Sequence, residues 1–361
     1  MATTDGSLGS THGSAAAIVA RSPDGPLEPG TIERRPVGPA DVLISIAWAG
    51  ICHSDIHTVR GHWGPQTYPL VVGHEIAGTV AAVGENVTRF HVGQRVGVGC
   101  MVNSCRTCEN CLTGEEQHCL AGHIETYGSV DADGSVTQGG YSSHIVVDQD
   151  FVLHLPDSVP FERAAPLLCA GITTYSPLRH WGAGPGTRVA VIGLGGLGHM
   201  AVKLASALGA EVTVLSRSLS KRADALELGA ADYFASSERA TFGCLANHFD
   251  LILNTASAAT DLNAYLGLLR RNGVLVALGA SAEPVTVSEF TLLENRRSLA
   301  ASNIGGIAET QEMLEFCAQH GVAPQVEVIS APQVNEAWRR VVAGDVRFRF
   351  VIDASTLGAI G

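Results

Sequence analysis

The chain has 361 residues, of which 46% are hydrophobic and 16% charged, and its formal net charge is −12. This length indicates two domains, and this composition indicates a large apolar core. The negative charge argues against nucleic acid or an anionic membrane as a partner, because both are bound by basic faces.

The N-terminal segment, residues 1–14, is rich in Gly, Ser and Thr, and we expect it to be a disordered leader. The first twenty residues contain no Lys or Arg, and their apolar run, Ala15 to Ala20, is too short for a signal peptide or a membrane span. We therefore expect a cytoplasmic protein with reduced thiols. In that setting clustered cysteines, here among nine in the chain, usually bind metal or take part in chemistry.

From Ala15 to about Phe161 the sequence alternates between apolar and polar residues and is punctuated by turn residues. Val42–Trp48 and Ile76–Val83 are the clearest predicted strands. We expect this region to form a largely antiparallel, barrel-like domain.

Between these two strands lies a segment with several chemically active side chains: Cys52, Ser54, Asp55, His57, His74 and Glu75. A thiolate and a neutral imidazole are typical zinc ligands. Two such ligands are only half of a site, and a Cys and a His this far apart are more often buried packing residues. The segment alone leaves both interpretations open.

A second cysteine motif follows, with the spacing Cys105-x2-Cys108-x2-Cys111-x7-Cys119. Four thiols in one polar loop can converge on a tetrahedral ion, whereas four free thiols in an exposed loop would oxidise readily. We predict a structural zinc site that stiffens a lobe too small to fold alone.

The composition changes after Pro160, and Cys169 lies in an apolar segment with a helical pattern. Predicted strands then alternate with predicted helices, which indicates a βαβ series and a parallel sheet with helices on both faces. The strands are Val189–Ile192, Val212–Ser216, Leu251–Asn254, Val274–Leu278 and Leu299–Ser302. After about Gly306 we predict a helix, a strand, a helix and a strand, at Glu309–His320, Val326–Ile329, Val334–Ala343 and Phe348–Asp353.

The first strand of this series leads into a glycine-rich turn with Gly193, Gly195 and Gly198. A glycine triplet alone is weak evidence, but here the first glycine ends a strand and the third opens a helix. The first permits a tight turn, the second lets backbone approach a pyrophosphate, and the third lets helix and strand pack closely. The helix N-terminus then faces the phosphates, so we predict a dinucleotide site.

The next strand ends in Ser216, where an NAD-binding protein usually has an acidic residue on the ribose hydroxyls. A carboxylate there would repel a 2′-phosphate, and the nearby Arg217, Ser218 and Lys221 supply donors for one. These cations could also be ordinary solvated charges. The missing carboxylate is the stronger argument, and it favours NADP(H).

Together these segments resemble the zinc-dependent medium-chain alcohol dehydrogenases of the cinnamyl-alcohol-dehydrogenase type, and in particular bacterial NADP-dependent broad-range enzymes, also described as aldehyde reductases. The resemblance implies a GroES-like, mainly antiparallel catalytic domain at 15–167 with a structural zinc lobe at 100–122. It also implies a Rossmann domain with a doubly wound parallel sheet at 168–305, a return to the catalytic domain at 306–361, and a homodimer. The matching motifs are Cys52-His-Ser-Asp-Ile-His57, Gly73-His-Glu75, the four-cysteine loop, Gly139-Gly-Tyr141, residues 168–177, Gly193 to His199, and residues 345–351.

The resemblance also assigns roles to individual positions. Cys52, His74 and Cys169 match the catalytic zinc ligands, and two thiolates with one imidazole is the ligand set known for alcohol dehydrogenase. Glu75 matches an alternative fourth ligand, Asp55 matches the partner of the ligand histidine, and Ser54 and His57 match the proton relay. The implied contacts with the cofactor come from Thr173, Gly193, Gly195, Gly196, Leu197, Gly198, Ser216, Arg217, Ser218, Lys221, Thr255 and Arg349.

The expected reaction is reversible reduction of aldehydes to primary alcohols, with zinc polarising the carbonyl and NADPH supplying hydride. Glu125 and Asn303 stand where lignin-pathway enzymes carry aromatic residues, so we expect a broad range of small-molecule substrates. The wall of the substrate pocket is predicted to include Trp63, Cys100 and Ile304. We predict that Cys244 and Cys317 are buried packing residues.

Two other functions are compatible with parts of this sequence. One is NADPH-dependent reduction of a conjugated or iminium double bond, which the intact set Ser54, His57 and Glu75 disfavours. The other is a non-catalytic NADPH-binding protein, which would have no need for an open zinc site.

Overall fold

In the computed structural model, residues 13–257, 261–279 and 284–359 are described, and they form two sheet-based units. The strands are β1 Ser14–Ala20, β2 Leu27–Glu33, β3 Asp41–Gly50, β4 Ile76–Val83, β5 Arg95–Val98, β6 Met101–Asn103, β7 Ile124–Glu125, β8 His144–Asp148, β9 Leu153–His154, β10 Arg188–Ile192, β11 Glu211–Ser216, β12 Asp232–Ala235, β13 Phe249–Asn254, β14 Leu269–Ala277, β15 Ser298–Ala301, β16 Val326–Ser330 and β17 Arg349–Asp353. The helices are α1 His53–Val59, α2 Glu109–Leu112, α3 Phe161–Ala164, α4 Ala170–His180, α5 Gly196–Ala207, α6 Arg222–Glu227, α7 Arg239–Cys244, α8 Leu262–Leu266, α9 Glu289–Leu293, α10 Ile307–His320 and α11 Val334–Ala343.

The first unit is a seven-stranded, mainly antiparallel sheet with strand order β16-β17-β3-β4-β5-β9, to which β8 is added on β3. Strand β3 pairs with β4, β8 and β17, so strands from distant parts of the sequence meet on it. Its residues Val42 and Ile44 are fully buried. This sheet agrees with the expected GroES-like architecture, including the return of the C-terminal segment.

The second unit is a six-stranded sheet in which every strand pair is parallel, in the order β12-β11-β10-β13-β14-β15. The chain runs outward from β10 through β11 to β12, and it then crosses to β13 on the other side of β10. The carboxyl ends of β10 and β13 therefore flank a switch point, where doubly wound sheets bind ligands. The Rossmann fold expected from the sequence is confirmed.

The short strand β12 was absent from the predicted elements. Its four residues, Asp232–Ala235, extend the sheet beyond β11, and Tyr233 and Ala235 point into the core. So short a run carries too little periodicity to distinguish a strand from a loop.

The four-cysteine lobe packs against the segment that precedes α10. A Cβ at Gly306 would lie 1.8 Å from the Gly114 carbonyl oxygen, so only glycine fits at this contact. The Glu116 carboxylate accepts a hydrogen bond of 3.1 Å from the backbone amide of Ile307. The lobe thus holds the start of α10 in place.

Most of the predicted leader falls on residues 1–12, which lie outside the described residues, and Ser14 already belongs to β1. Within the described parts of the chain, none of the helices has the length and apolar character needed to cross a bilayer.

Candidate active site

Two groups of metal-ligand side chains form among the described residues, and in each group the ligand atoms lie within 4.8 Å of one another. Two sulfurs bound at about 2.3 Å to one tetrahedral zinc ion lie about 3.8 Å apart. The measured Sγ–Sγ distance is 3.9 Å for Cys52 and Cys169, and it is 3.9 Å for Cys105 and Cys111. Both groups therefore fit a zinc ion: Cys105, Cys108, Cys111 and Cys119 in one, and Cys52, His74, Glu75 and Cys169 in the other.

The four-cysteine group is held by backbone amides that point at its sulfurs. The Cys108 amide donates to the Cys105 Sγ at 3.4 Å, and the Leu120 amide donates to the Cys108 Sγ at 3.5 Å. The amides of Thr107 and Cys108 lower the pKa of Cys105 to about 6. Hydrogen bonds to sulfur favour the thiolate, which is the form that binds zinc. With four protein ligands this group leaves no position for a substrate.

The second group is buried and is assembled from three separate parts of the fold. Cys52 precedes α1, His74 lies in the loop before β4, and Cys169 precedes α4. The hydrogen bond from Cys169 holds the pKa of Cys52 well below its usual range. Hydrogen bonds with Cys100 and Cys52 raise the pKa of Cys169. These directions favour a thiolate at Cys52, the form that binds zinc. A zinc ion held by Cys52, His74 and Cys169 alone would keep one position open for chemistry.

Glu75 lies behind these ligands and is fully buried. Neither of its carboxylate oxygens accepts a hydrogen bond from the described residues, although Oε1 is 3.3 Å from the Arg349 Nη1. Burial raises the pKa of Glu75 to about 7, against the opposing effect of Arg349. A Cβ at Gly50 would lie 2.0 Å from Oε2, so glycine at that position makes room for the carboxylate. Apart from its ion pair with Arg349, this carboxylate has no hydrogen-bond donor among the described residues, so it is also available to a metal cation.

Asp55 fixes the orientation of the ligand histidine. Its Oδ1 lies 3.0 Å from the His74 Nδ1, which turns the other ring nitrogen towards the sulfurs. Its Oδ2 accepts hydrogen bonds from the Cys52 amide at 2.9 Å and from the Tyr141 hydroxyl at 3.0 Å. The Gly73 amide donates to Oδ1 at 3.2 Å. These contacts support the role expected for Asp55, which stays a prediction.

Helix α1 carries both side chains of the expected proton relay. The Ser54 Oγ lies 3.5 Å from the Cys52 Sγ, beside the ligand group. His57 is one turn further along the same helix, and its ring stacks on Trp63 with centroids 5.1 Å apart. The helix therefore leads from the ligand group towards the surface.

The glycine turn has the geometry expected of a dinucleotide site. Gly193 has φ of +88°, in the left-handed region that favours glycine. A Cβ at Gly198 would lie 2.1 Å from the Gly193 oxygen, whereas a Cβ at Gly195 would have no neighbour within 4 Å. The Thr255 hydroxyl donates to the Ile192 carbonyl at 2.8 Å and closes the turn against β13. The space beside Gly195 is where a pyrophosphate can approach the backbone.

The end of β11 lies next to this turn. Ser216 is the last residue of β11, and Arg217 and Ser218 follow it on the surface. The Lys221 Nζ donates to the Leu194 carbonyl of the glycine turn at 3.2 Å. The strand end has no acidic residue, and a cation stands beside the nucleotide turn.

Arg349 connects the metal-ligand group to the glycine turn. Its Nη1 donates to the Ile51 carbonyl at 3.1 Å and lies 3.3 Å from the Glu75 carboxylate. A Cβ at Gly196 would lie 2.8 Å from the Arg349 Nε, so the guanidinium rests directly on the turn. A single buried side chain therefore spans the two halves of the site.

Comparison with known proteins agrees with this arrangement. Residues 38–157 match the alcohol dehydrogenase GroES-like domain, and residues 196–319 match the zinc-binding dehydrogenase domain. NADP-dependent alcohol dehydrogenase C 1 of Mycolicibacterium smegmatis is 60% identical over 342 residues, which cover 94% of this chain and 98% of that protein. This chain belongs to the zinc-dependent medium-chain alcohol dehydrogenases. A probable cinnamyl alcohol dehydrogenase of Oryza sativa is 51% identical over 341 residues, 94% of this chain and 93% of its own length.

Solved structures of this family superpose closely on the dehydrogenase. A cinnamyl alcohol dehydrogenase from Sorghum bicolor has a TM-score of 0.93 at 43% identity, and it covers 95% of this chain and 98% of its own. The corresponding enzyme from Helicobacter pylori, solved with NADP(H), has a TM-score of 0.89 at 42% identity and the same coverage. The resemblance expected from the sequence motifs is confirmed.

The predicted substrate-pocket residues of this dehydrogenase do not all come together. Cys100 and Ile304 line one apolar cavity of about 10 Å³, with room for roughly one water molecule. Trp63 is 47% exposed and stacks on His57, and Glu125 is exposed on β7. Asn303 is exposed beside Ile304, whose φ is +40°.

Two tyrosines contact the ligand group although the sequence analysis did not predict them as site residues. The Tyr127 hydroxyl lies 3.2 Å from the His74 Nδ1, and the Tyr141 hydroxyl donates to Asp55. Tyr141 is part of the Gly139-Gly-Tyr141 motif, which was a usable signal, whereas Tyr127 lies in an irregular stretch with none. Of the expected cofactor residues, Thr173 is buried on α4, four residues after Cys169.

The prediction that Cys244 is buried is wrong. Helix α7 packs through Thr241, with Leu245 four residues later on the same face, and Cys244 is exposed at the edge. Its thiol lies 2.9 Å from the Ala240 carbonyl. Cys317 is buried as predicted, with its sulfur 3.6 Å from the Met313 sulfur.

Two separate ligand groups lead to a prediction about metal content. We expect about two zinc ions per chain, and about one in either Cys105→Ser or Cys52→Ala. Cys105→Ser should also lower the thermal unfolding midpoint clearly, because the closed group supports its own lobe. Cys52→Ala should abolish turnover and leave the midpoint near that of wild type.

Elemental analysis and thermal unfolding of protein purified without chelator test this prediction. Cys244→Ser is the matched control, since the exposed Cys244 belongs to neither group and its loss should change neither measurement. One zinc ion per wild-type chain, or two in both variants, would contradict the two-site interpretation.

Proposed function

We propose that this enzyme catalyses the reversible, NADP(H)-linked reduction of aldehydes to primary alcohols at a zinc ion held by Cys52, His74 and Cys169. The observation that carries the proposal is Arg349, which contacts both Glu75 behind the ligand group and Gly196 in the dinucleotide turn. A metal that binds a carbonyl oxygen and a cofactor that donates hydride must lie side by side. This side chain brings their two sites together.

A bound zinc ion supplies a Lewis acid that polarises a carbonyl, and NADP(H) supplies or accepts the hydride. The two thiolates of Cys52 and Cys169 and the neutral ring of His74 balance the charge of the metal. Asp55 holds the His74 ring through Nδ1, which keeps the other nitrogen free for the metal. The burial of the ligand group excludes bulk water, which strengthens every electrostatic interaction within it.

We assign the proton transfer to α1. The Ser54 hydroxyl stands beside the ligand group and can donate a proton to the oxygen of the reduced substrate. His57, one turn further along, can return a proton towards Ser54, with the cofactor ribose expected between them. In alcohol oxidation the same groups move the proton outwards.

Close relatives support this proposal through what they are named to do. Those at 60% identity are named NADP-dependent alcohol dehydrogenases, one from Bacillus subtilis at 59% is named a probable formaldehyde dehydrogenase, and plant proteins at about 50% are named probable cinnamyl alcohol dehydrogenases. The alcohol dehydrogenase names describe the interconversion of an alcohol and a carbonyl, and the formaldehyde dehydrogenase name describes oxidation of an aldehyde. The range of substrates in these names favours a broad substrate range for this enzyme.

A panel of aldehydes tests the reaction and its breadth. We expect turnover of medium aliphatic aldehydes, benzaldehyde and cinnamaldehyde with NADPH, and poor turnover of ketones. Each methylene contributes only about 0.8 kcal/mol of burial, so such a pocket separates similar aldehydes weakly. A preference of about a hundredfold in kcat/KM for coniferaldehyde over benzaldehyde would show a specialised pocket. Absence of turnover with every aldehyde would leave a double-bond reductase or a non-catalytic protein.

NADPH should be preferred over NADH because Ser216 stands where a carboxylate would bind the ribose. We expect Ser216→Asp to raise the KM for NADPH at least about tenfold, since a carboxylate about 4 Å from the 2′-phosphate costs several kcal/mol at an effective dielectric near 20. The KM for NADH should be unchanged or lower. Steady-state kinetics with both cofactors measures the effect.

Ser22→Asp serves as the control for this substitution. Ser22 is exposed in the turn between β1 and β2, and its Oγ accepts a hydrogen bond from the Gly25 amide that an aspartate can also accept. The same added negative charge on this turn should leave the KM values for NADPH and NADH unchanged. Equal use of NADH and NADPH by the wild type would overturn the interpretation of Ser216, Arg217 and Lys221.

We further propose that two copies form a homodimer through the edge of the parallel sheet. Strand β15 ends that sheet, and the segment leading into it exposes Val285, Phe290 and Leu293, with Phe290 78% exposed. An unpaired edge strand beside exposed apolar side chains favours pairing with a second copy related by two-fold symmetry. This dimer agrees with the one that the resemblance implies.

Light scattering coupled to gel filtration tests the dimer. We expect wild type to be dimeric and the double variant Phe290→Glu with Leu293→Glu to be monomeric, because buried unpaired carboxylates disfavour the interface. Val342→Glu is the control, since Val342 is 59% exposed on α11, which connects β16 and β17 of the other sheet. A monomeric wild type, or a double variant that remains dimeric, would refute this interface.

We also propose the domain division at 15–167, 168–305 and 306–361, supported by the change from mainly antiparallel to parallel pairing after β9 and by the return of β16 and β17 to the first sheet. A cytoplasmic location is proposed as well. It is supported by the thiolate ligand groups, which a reducing compartment keeps available for metal.

A further inference from the structure

The rings of His57 and His62 are in direct contact at the outer end of the proposed proton path. Their Nδ1 atoms lie 2.8 Å apart, which is a hydrogen-bonding distance. Each imidazole nitrogen either carries a proton or presents a lone pair, so this contact requires a single proton shared between the two Nδ1 atoms. The two rings are therefore joined by an N–H···N hydrogen bond.

The end of α1 produces this contact. Gly61 has φ of +68°, and its amide donates to the Thr58 carbonyl at 3.0 Å. The His62 amide donates to the His57 carbonyl, also at 3.0 Å. These two bonds form a Schellman motif, which brings the residue after the glycine back over the last turn of the helix. The backbone thus fixes His62 against His57.

The surroundings of the pair define an inner and an outer end. The His57 Nε2 is buried and has no partner among the described residues, whereas His62 is exposed. Trp63 and His53 both stack on the His57 ring, each with centroids 5.1 Å away. A buried nitrogen without a partner is available to accept a proton, and the exposed ring of His62 can exchange one with water.

The groups around His57 change the pKa of its ring. Burial lowers the pKa of His57 most, and the nearby His53 and then His62 lower it further, while the Cys52 thiolate opposes them. A neutral His57 is a ready proton acceptor near neutral pH.

We propose that His62 carries the proton between His57 and the solvent. The inference rests on the proposed function and adds a step to it. In alcohol oxidation His57 accepts a proton at Nε2, the shared proton passes from the His57 Nδ1 to the His62 Nδ1, and His62 releases its Nε2 proton to water. One proton enters the pair and one leaves it. Aldehyde reduction runs the same transfers in reverse.

Stopped-flow kinetics of a single turnover tests this step directly. The full-length enzyme with NADP⁺ and benzyl alcohol is mixed in weak buffer with a pH indicator, so that NADPH formation and proton release are followed separately. In wild type we expect the two signals to rise together. In His62→Gln we expect proton release to lag about tenfold, a smaller effect than loss of a general acid–base group inside a site because water partly replaces the ring.

Three further observations separate proton transfer from a structural role. Added imidazole should restore the rate of proton release in His62→Gln, and the KM for benzyl alcohol should stay unchanged. The acid limb of the pH profile should move to higher pH in this variant, because removal of His62 raises the pKa of His57 and neutral His57 is the acceptor. His91→Gln is the matched control, since His91 is exposed far from α1 in the sequence and belongs to neither ligand group.

The inference fails if His62→Gln releases its proton as fast as wild type and shows the same pH profile. A wild type without alcohol turnover refutes the proposed function instead. In that case nitrogen-15 spectra of the histidine-labelled protein still test whether His57 and His62 share a hydrogen bond. A coupling across the hydrogen bond between the two Nδ1 atoms supports the shared proton, and its absence refutes it.

Discussion

The active site depends on one buried carboxylate. Asp55 is fully buried and accepts hydrogen bonds from the Cys52 amide, the Gly73 amide and the Tyr141 hydroxyl, while it also contacts the ring of His74. A buried charge is tolerable only when its oxygens are satisfied by donors. Through these contacts the Asp55 side chain holds together the start of α1, the loop before β4 and the loop before β8. The contacts with Asp55 position Cys52 and His74, the proposed metal ligands.

A second constraint joins the ligand group to the nucleotide sheet. Arg349 lies at the start of β17, so its position depends on the return of the C-terminal segment to β3. From there it reaches Glu75 on one side and Gly196 on the other. Both contacts need space, and Gly50 and Gly196 provide it, since a Cβ at either position would collide with a charged side chain. Glycines at close approaches therefore matter here as much as the charged groups.

The two metal-ligand groups both contain cysteine thiols but have different roles. The four-cysteine group is closed, and its lobe meets the rest of the fold where Glu116 binds the amide of Ile307. That contact lies three residues after Ile304, in the segment that lines the apolar cavity with Cys100. The stability of the closed lobe thus bears on the shape of the wall near the open group. In the proposed function the other group keeps a position for substrate, and α1 carries the proposed proton path away from it.

The sequence by itself determined the two sheets, the four-cysteine group and the dinucleotide turn. Local periodicity, cysteine spacing and the glycine motif each depend on residues close together in the chain, so they can be recognised there. Cys169 could be joined to Cys52 and His74 only through the resemblance, because more than ninety residues separate them in the chain. Only the tertiary structure decided that Arg349 spans metal and nucleotide sites, that Cys244 faces solvent, and that His62 touches His57. Each of these depends on how side chains meet across elements or at a helix end, and no period or spacing in the sequence encodes that geometry.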